Sequence, residues 1–208
     1  MRVMSRPIRF EFSLEKLVDA LAYLAEVGKI RDLTKLKAAK LLFFADKMHL
    51  LRYGRPILGD RYVSMDHGPV PSQSLNVMNR VIAPDEIEDP VRQRVLERLH
   101  VHTLFTRHPQ FRAKRHTAEF SHLSDSDREV LDQVIATYGA KPVGALIELT
   151  HREHAWRVSD VDRLPGSNAP MPYRTFFEGE HATGDEIAMR ELVEVEQEDR
   201  DFIAALSR

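Results

Sequence analysis

The sequence contains no cysteine and a single tryptophan, Trp156. Without cysteine there is no disulfide framework, no iron–sulfur cluster, no thiolate zinc site and no cysteine nucleophile. Long apolar runs are also missing. The most apolar stretch, Ala38 to Ala45, carries Lys40 and is far too short to span a bilayer. The first thirteen residues, MRVMSRPIRFEFS, lack the apolar run and small-residue cleavage site of a secretory signal. A soluble cytoplasmic protein with no membrane association is therefore expected. An excess of one charge is absent too: the formal net charge is −2, unlike that of a chain that is basic throughout. Also missing are HExxH, GxSxG, GxxxxGK[ST] and GxGxxG, so no zincin, serine-hydrolase or nucleotide-loop signature is present. No cofactor is expected.

What remains is 208 residues with 43% hydrophobic and 30% charged side chains, enough for one compact domain with a buried core. Ser13 is placed to cap a helix from Leu14 to about Val27, stopped by Gly28, with Leu17, Val18, Leu21 and Leu24 on one face. Thr34 is placed to cap a second helix ending before Gly54. Arg61 to Met65 reads as a short strand. Gly68 to Ser72 reads as a turn, with Pro71 starting a third helix that runs to Ile82. Val91 to Leu99 suits a helix. From Leu99 the residues alternate, and Arg107 to Gln110 turns them back through Phe111 to Thr117 as a β-hairpin. Ser124 opens a further helix closed by Gly139, and Pro142 starts a short one over Val143 to Leu149. Leu164 to Pro172 reads as a loop, and Tyr173 to Phe177 is apolar and of open type. Asp185 to Leu206 reads as a helix, with Ile187, Leu192, Val195, Phe202 and Ile203 partly spaced for burial. The fold class expected is mainly α (α+β), a compact helical domain with a small antiparallel β element. The division expected is an N-terminal segment 1–13, a domain 14–160, and a C-terminal loop and acidic helix 161–208 packing on it.

Ten histidines raise the question of metal. His151 with His154, and Asp46 with His49, are spaced i, i+3, and His100 with His102 share a strand face. Such pairs arise by chance when histidine is abundant, and no third ligand stands at a recognisable distance, so no metal and no catalytic residue is expected. Charge is more informative. Residues 91–116 carry a net +6, with Arg107, Arg112, Lys114 and Arg115 in the hairpin, and residues 178–201 carry a net −8. Two solvated faces explain this simply, and a basic patch for an acidic partner explains it functionally. Nucleic acid is disfavoured, because few aromatics interleave the basic residues. Trp156, Phe43, Phe44, Tyr53 and Tyr62 are read as core.

Two segments resemble a known family. The first runs from Lys35 through Lys40, Leu41, Leu42, Phe43 and Asp46 to Tyr53-Gly54-Arg55-Pro56, then Asp60 to Met65 and Gly68-Pro69-Val70-Pro71. The second is Leu149-Thr150-His151 followed by Ala155-Trp156. They resemble the Panacea domain, also called the SocA-like or phage-associated GepA-like domain, with its K-L-x-K-L-L-Y-F helix, Y-G-x-P turn, G-P-V piece and L-T-H-x-x-x-x-W ending. Phe43 stands where the family usually has tyrosine, and Ser64 where it often has alanine. The resemblance implies a mainly helical fold with a small β element. It implies an antitoxin, not an enzyme, that binds and neutralises an adjacently encoded toxin. The toxins come from unrelated families, small alarmone synthetases among them. One branch of the family resembles a proteolytic adaptor delivering its toxin to ClpXP. A phage-associated DNA-binding regulator is a further alternative, and a metal hydrolase the least favoured. The motif residues are expected to be structural: Leu41, Leu42 and Phe43 in the core, Gly68 and Pro69 in a turn, Lys40 and Asp46 exposed or locally paired, and His151 beside Trp156. Arg107, Arg112, Lys114 and Arg115 are the expected partner-binding residues.

Overall fold

A computed structural model describes residues 7–83, 89–104, 106–114, 119–161, 163–179 and 182–206. The first helix, α1 (Leu14–Glu26), starts where expected: Ser13 Oγ accepts from the Lys16 N–H at 3.2 Å. At its end the Val27 and Gly28 N–H groups both return to the Tyr23 carbonyl, and Lys29 takes the positive φ of 50°. Gly28 serves a different need from the expected one. A Cβ there would lie 2.6 Å from the Leu24 carbonyl oxygen and 3.0 Å from Ile135, so the glycine permits close packing.

Helix α2 (Lys35–Tyr53) is the centre of the molecule. Thr34 caps it, and Gly54 ends it at φ 71°, a left-handed cap that glycine adopts without penalty. It touches α1's neighbour α5 (Asp125–Val134), α3 (Ser72–Ile82), α6 (Val143–His151) and α8 (Gly184–Leu206). Enclosure on most sides buries Ala38, Leu41, Leu42, Phe43, Phe44 and Leu50, and with them four polar side chains, Lys37, Lys40, Asp46 and His49.

Against α2 lies a three-stranded antiparallel sheet ordered β2-β1-β5: Gly68–Pro71, Tyr62–Met65 and Ala169–Met171. Two expectations change here. Gly68 to Pro71 is a strand pairing Val70 with Val63, not a turn, and the segment 164–172 contains β5, pairing Pro170 with Val63. Pro69, Pro71 and Pro170 all sit on the edge strands of this sheet, the position at which strands accept proline. The second sheet is the hairpin of β3 (Leu99–His102) and β4 (Gln110–Ala113); β4 packs against α1, and Leu99 and Phe111 are fully buried. Phe105 and residues 115–118 of the expected hairpin lie outside the described residues.

Helix α4 (Pro90–Arg98) begins at Asp89, which accepts from the Val91 and Arg92 N–H groups and pairs with Arg80. Helix α5 has a capping box between Ser124 and Asp127 and passes into a π-helical turn over Ile135–Gly139. Helices α6 and α7 (His154–Asp160) and a 3₁₀ turn over Tyr173–Phe177 precede α8. The described chain is 59% helical, and the mainly α fold with small antiparallel sheets is as expected. Among the described residues no helix is long and apolar enough to cross a membrane.

Helix α8 corrects a further expectation. Ile187, Leu192, Val195, Phe202 and Ile203 are 42–64% exposed. The helix docks instead through Val193, 1% exposed, and Met189, which sit over Gly54. The bare backbone of that glycine leaves room for Met189 Sδ, which a Cβ would approach to 3.2 Å. Tyr53 is corrected as well: it is 38% exposed and donates to Glu129 Oε2 at 2.8 Å, whereas Phe43, Phe44 and Tyr62 are core.

Candidate functional site

The residues of the two sequence motifs converge. Lys40 on α2 is fully buried and donates to the Pro69 carbonyl at 2.9 Å. Gly68, at φ 93°, leaves the space above it: a Cβ would lie 2.6 Å from Thr150 Oγ1 and 2.9 Å from Lys40 Nζ. His151 stacks on Trp156 with ring centroids 4.1 Å apart, and the indole N–H donates to the Met65 carbonyl at 3.2 Å. Strand β1, strand β2 and the end of α6 are thereby tied to α2. Burial lowers the Lys40 pKa to about 7. Burial, with the nearby charge of Lys40, also lowers that of His151.

Asp46, one helical turn or more along α2, is also fully buried and does not pair with Lys40. It accepts from the Leu58 N–H at 2.9 Å and the Tyr62 hydroxyl at 3.1 Å. Neither exposure nor a local Lys40–Asp46 pair describes these two side chains: each is held by backbone or hydroxyl partners from the sheet side. Burial raises the Asp46 pKa to about 7, against the lowering effect of its hydrogen bonds. Asp60, which the sequence reading left without a role, performs a related task. Its carboxylate accepts from the Gln73 N–H, the Ser74 N–H and the Ser74 hydroxyl. Since Pro71 offers α3 no capping side chain, Asp60 supplies the missing acceptor from across the sheet.

A third buried carboxylate joins the far end of α2 to α5. Asp127 receives Lys16 at 2.7 Å, Arg55 at 3.0 Å and His49 Nε2 at 3.1 Å. Burial alone would raise its pKa, but the hydrogen bonds from His49 and Lys16 outweigh burial and hold it well below the usual carboxylate range. Asp46 and His49 thus face different partners. His151 and His154 do share a pocket of about 440 Å³ with Lys47, Arg157 and Phe177. No three His, Asp or Glu side chains converge as a metal set among the described residues. These polar groups consist of caps and ties between elements. In the Asp127 cluster, His49 Nε2 also lies 3.1 Å from Ser126 Oγ, and its Nδ1 lies 2.7 Å from the Arg55 carbonyl.

The surface is different. Beside the C-terminal end of α1, a groove of about 530 Å³ runs against β4, with Ala25 and Ala113 on its floor and Lys29, Arg31, Arg112 and Lys114 around it. Glu26 supplies the one carboxylate, leaving the lining at net +3. None of the four cations has a carboxylate partner among the described residues. Arg112 donates only to Gln110 Oε1, at 2.8 Å. By contrast Arg94 and Arg98, in the same basic segment, are answered by Glu15 and Asp19 of α1. Of the expected partner-binding residues, Arg112 and Lys114 line this groove. Arg107 is exposed in the hairpin turn, and Arg115 lies outside the described residues. The sequence reading missed Lys29 and Arg31, which precede α2 by a few residues and meet β4 only through the tertiary fold. Their signal was two cations either side of the single buried Ile30.

A family model described as antitoxin SocA-like, Panacea domain, matches residues 39–157, more than half of the chain. The matched stretch runs from α2 to α7 and contains every motif residue from Lys40 to Trp156. No curated protein and no solved structure matches the chain.

Proposed function

The chain belongs to the SocA-like antitoxin family through its Panacea domain, and from that premise we propose that it neutralises one cognate toxin by direct contact, without catalysis, using the cationic groove between α1 and β4. One observation carries the choice of surface. The motif residues Lys40, Leu41, Leu42, Phe43, Asp46 and Gly68 are spent inside the fold, whereas Lys29, Arg31, Arg112 and Lys114 stand around an open groove with no acidic partner among the described residues. Side chains that hold one fold together can be common to a family, while exposed cations are free to differ from one toxin to the next.

The groove suits an acidic or carboxylate-bearing element of the toxin with a small apolar anchor. A stable complex of standard size covers about 1,600 Å² in total, so the groove is the centre of the contact and the hairpin turn with Arg107 its rim. Neutralisation then follows from occlusion of the toxin surface that the interface covers.

The test is co-expression with the product of the adjacent gene, scored by growth and by pull-down from the same cells. Wild-type chain is expected to rescue growth and retain the toxin in a stable complex. The variant Arg31→Glu/Arg112→Glu/Lys114→Glu is expected to stay folded by circular dichroism and lose both effects. Full rescue by that variant removes the groove from the contact surface. Rescue accompanied by ClpXP-dependent loss of the toxin replaces occlusion with proteolytic delivery.

A further inference from the structure

Helix α8 presents two apolar stripes, and only one is used. Val193 and Met189 pack over Gly54. Leu192, Val195 and Phe202 follow at i, i+3 and i+10 on a different side of the helix and are 53%, 55% and 64% exposed. Glu191, Glu198 and Asp199 are exposed around that stripe, with no cation partner among the described residues. An apolar ridge rimmed by carboxylates calls for a groove with an apolar floor and a cationic rim.

The same chain carries such a groove, with Ala25 and Ala113 as floor and Lys29, Arg31, Arg112 and Lys114 as rim. The two do not meet within one molecule. Arg31 lies just before α2 begins, whereas Met189 and Val193 sit over Gly54 at the other end of α2. At about 1.5 Å per residue the helix holds these features about 28 Å apart. Gln197 accepts from the Arg9 N–H at 3.4 Å, a second tie of α8 to its own molecule. We infer that the outward stripe of α8 docks on the cationic groove of a second copy of this chain, with the copies antiparallel so that the contact is made twice. A two-fold arrangement satisfies both grooves and both helices and closes the assembly, where a head-to-tail chain would leave one of each unpaired. The inference concerns copies of this chain alone and does not rest on the identity of any toxin.

The experiment is sedimentation equilibrium of the untagged full chain and two charge-reversed variants. Glu191→Lys/Glu198→Lys/Asp199→Lys reverses the helix. Arg31→Glu/Arg112→Glu/Lys114→Glu reverses the groove. All of these side chains are exposed or partly exposed, and circular dichroism verifies the fold of each variant. Wild-type protein is expected as a dimer that dissociates as salt is raised, because the contact is charge-paired at its rim. Each variant alone is expected to be monomeric. An equimolar mixture of the two is expected to form a one-to-one dimer, because each reversed surface then meets its complement. A monomeric wild type, or a dimer unchanged by both reversals, overturns the inference. So does a mixture that stays monomeric. The second copy and the toxin share the groove, so the toxin displaces α8 of the second copy when it binds. The helix-reversed variant, monomeric with its groove intact, is expected to rescue growth in full, and this readout keeps the toxin-binding proposal separate from any result that overturns the dimer.

Discussion

Replacing Lys40 with methionine removes a charge that the fold holds out of water without a counter-ion. The Lys40 side chain is fully buried, its ammonium has one hydrogen bond, to the Pro69 carbonyl, and no carboxylate pairs with it among the described residues. Burial lowers its pKa from 10.5 to about 7. At about 1.4 kcal/mol per pH unit, that displacement corresponds to about 5 kcal/mol between the two protonation states. The unfolded chain binds the proton first as pH falls from above 10.5, so the native state loses stability steadily down to pH 7 and the loss is level below that. Methionine has nearly the same volume and carries no charge. It leaves the Pro69 carbonyl without its donor, at a cost of about 1–3 kcal/mol. At pH 6 Lys40→Met is therefore expected to stabilise the protein by about 2–4 kcal/mol. At pH 10.5, where the wild-type lysine is folded and unfolded at little difference in protonation cost, the same substitution is expected to destabilise it by about 1–3 kcal/mol.

Urea denaturation of both proteins at the two pH values, followed by circular dichroism, reads this change of sign directly. Comparison of mutant with wild type cancels the other groups that titrate in the interval. A stability difference that is the same at both pH values would refute the reasoning, because it would mean that the buried ammonium meets no desolvation cost. A destabilised Lys40→Met at pH 6 would mean that the hydrogen bond to Pro69 outweighs that cost.

Gly68→Ala is expected to lose more than about 3 kcal/mol, since it adds backbone strain at φ 93° to a contact of 2.6 Å with Thr150. Gly144→Ala in α6, where a Cβ meets nothing within 4 Å, is expected to gain about 0.5–1 kcal/mol, and thermal melts of the two variants side by side check the contrast. Asp127→Ala strands Lys16, His49 and Arg55 around an empty site and is expected to cost about 3–5 kcal/mol at pH 7. Because the Asp127 pKa is depressed in the fold, its contribution is present above the ordinary carboxylate pKa and fades as pH falls below it. Equal destabilisation of Asp127→Ala at pH 7 and at pH 2.5 would contradict this. Trp156, the single tryptophan, stacks on His151, whose pKa is lowered below 6.5. Its fluorescence is expected to drop as the imidazole gains a proton in mildly acid solution and to be flat with pH in His151→Phe.

The fold was legible wherever a single segment carries its own instruction. Ser13, Thr34 and Ser124 cap the helices they were expected to cap, because a cap is a contact over three residues. The hairpin of β3 and β4 and the stop at Gly54 are local in the same sense. Strands β2 and β5 were not legible, because each carries proline and little β-branched character, and each becomes a strand only by lying along β1. Asp60 had no visible role, since the helix it caps starts only at Ser72, and the N–H groups it accepts from are those of Gln73 and Ser74, beyond the strand. Lys40 and Asp46 show why residue type misleads at the centre of a fold. A lysine and an aspartate on a helix normally face water, but over residues 37–46 α2 is buried on every side, so each finds a backbone or hydroxyl partner instead. Helix α8 misled in the opposite direction. Its larger apolar stripe looks like the inward face by spacing, but the bare backbone at Gly54 selects the side that carries Met189 and Val193. Half of the groove was legible as hairpin charge, in Arg112 and Lys114, and half was not, because Lys29 and Arg31 reach it from some eighty residues away. The physical distinction is the same in each case. Interactions that close within one helical turn can be read along the chain, and those that close between elements depend on which surfaces the core leaves open. In this chain the core consumes Lys40, Leu41, Leu42, Phe43 and Asp46 of the family's motif, and the unpaired charges around the groove are what the fold leaves over for a partner.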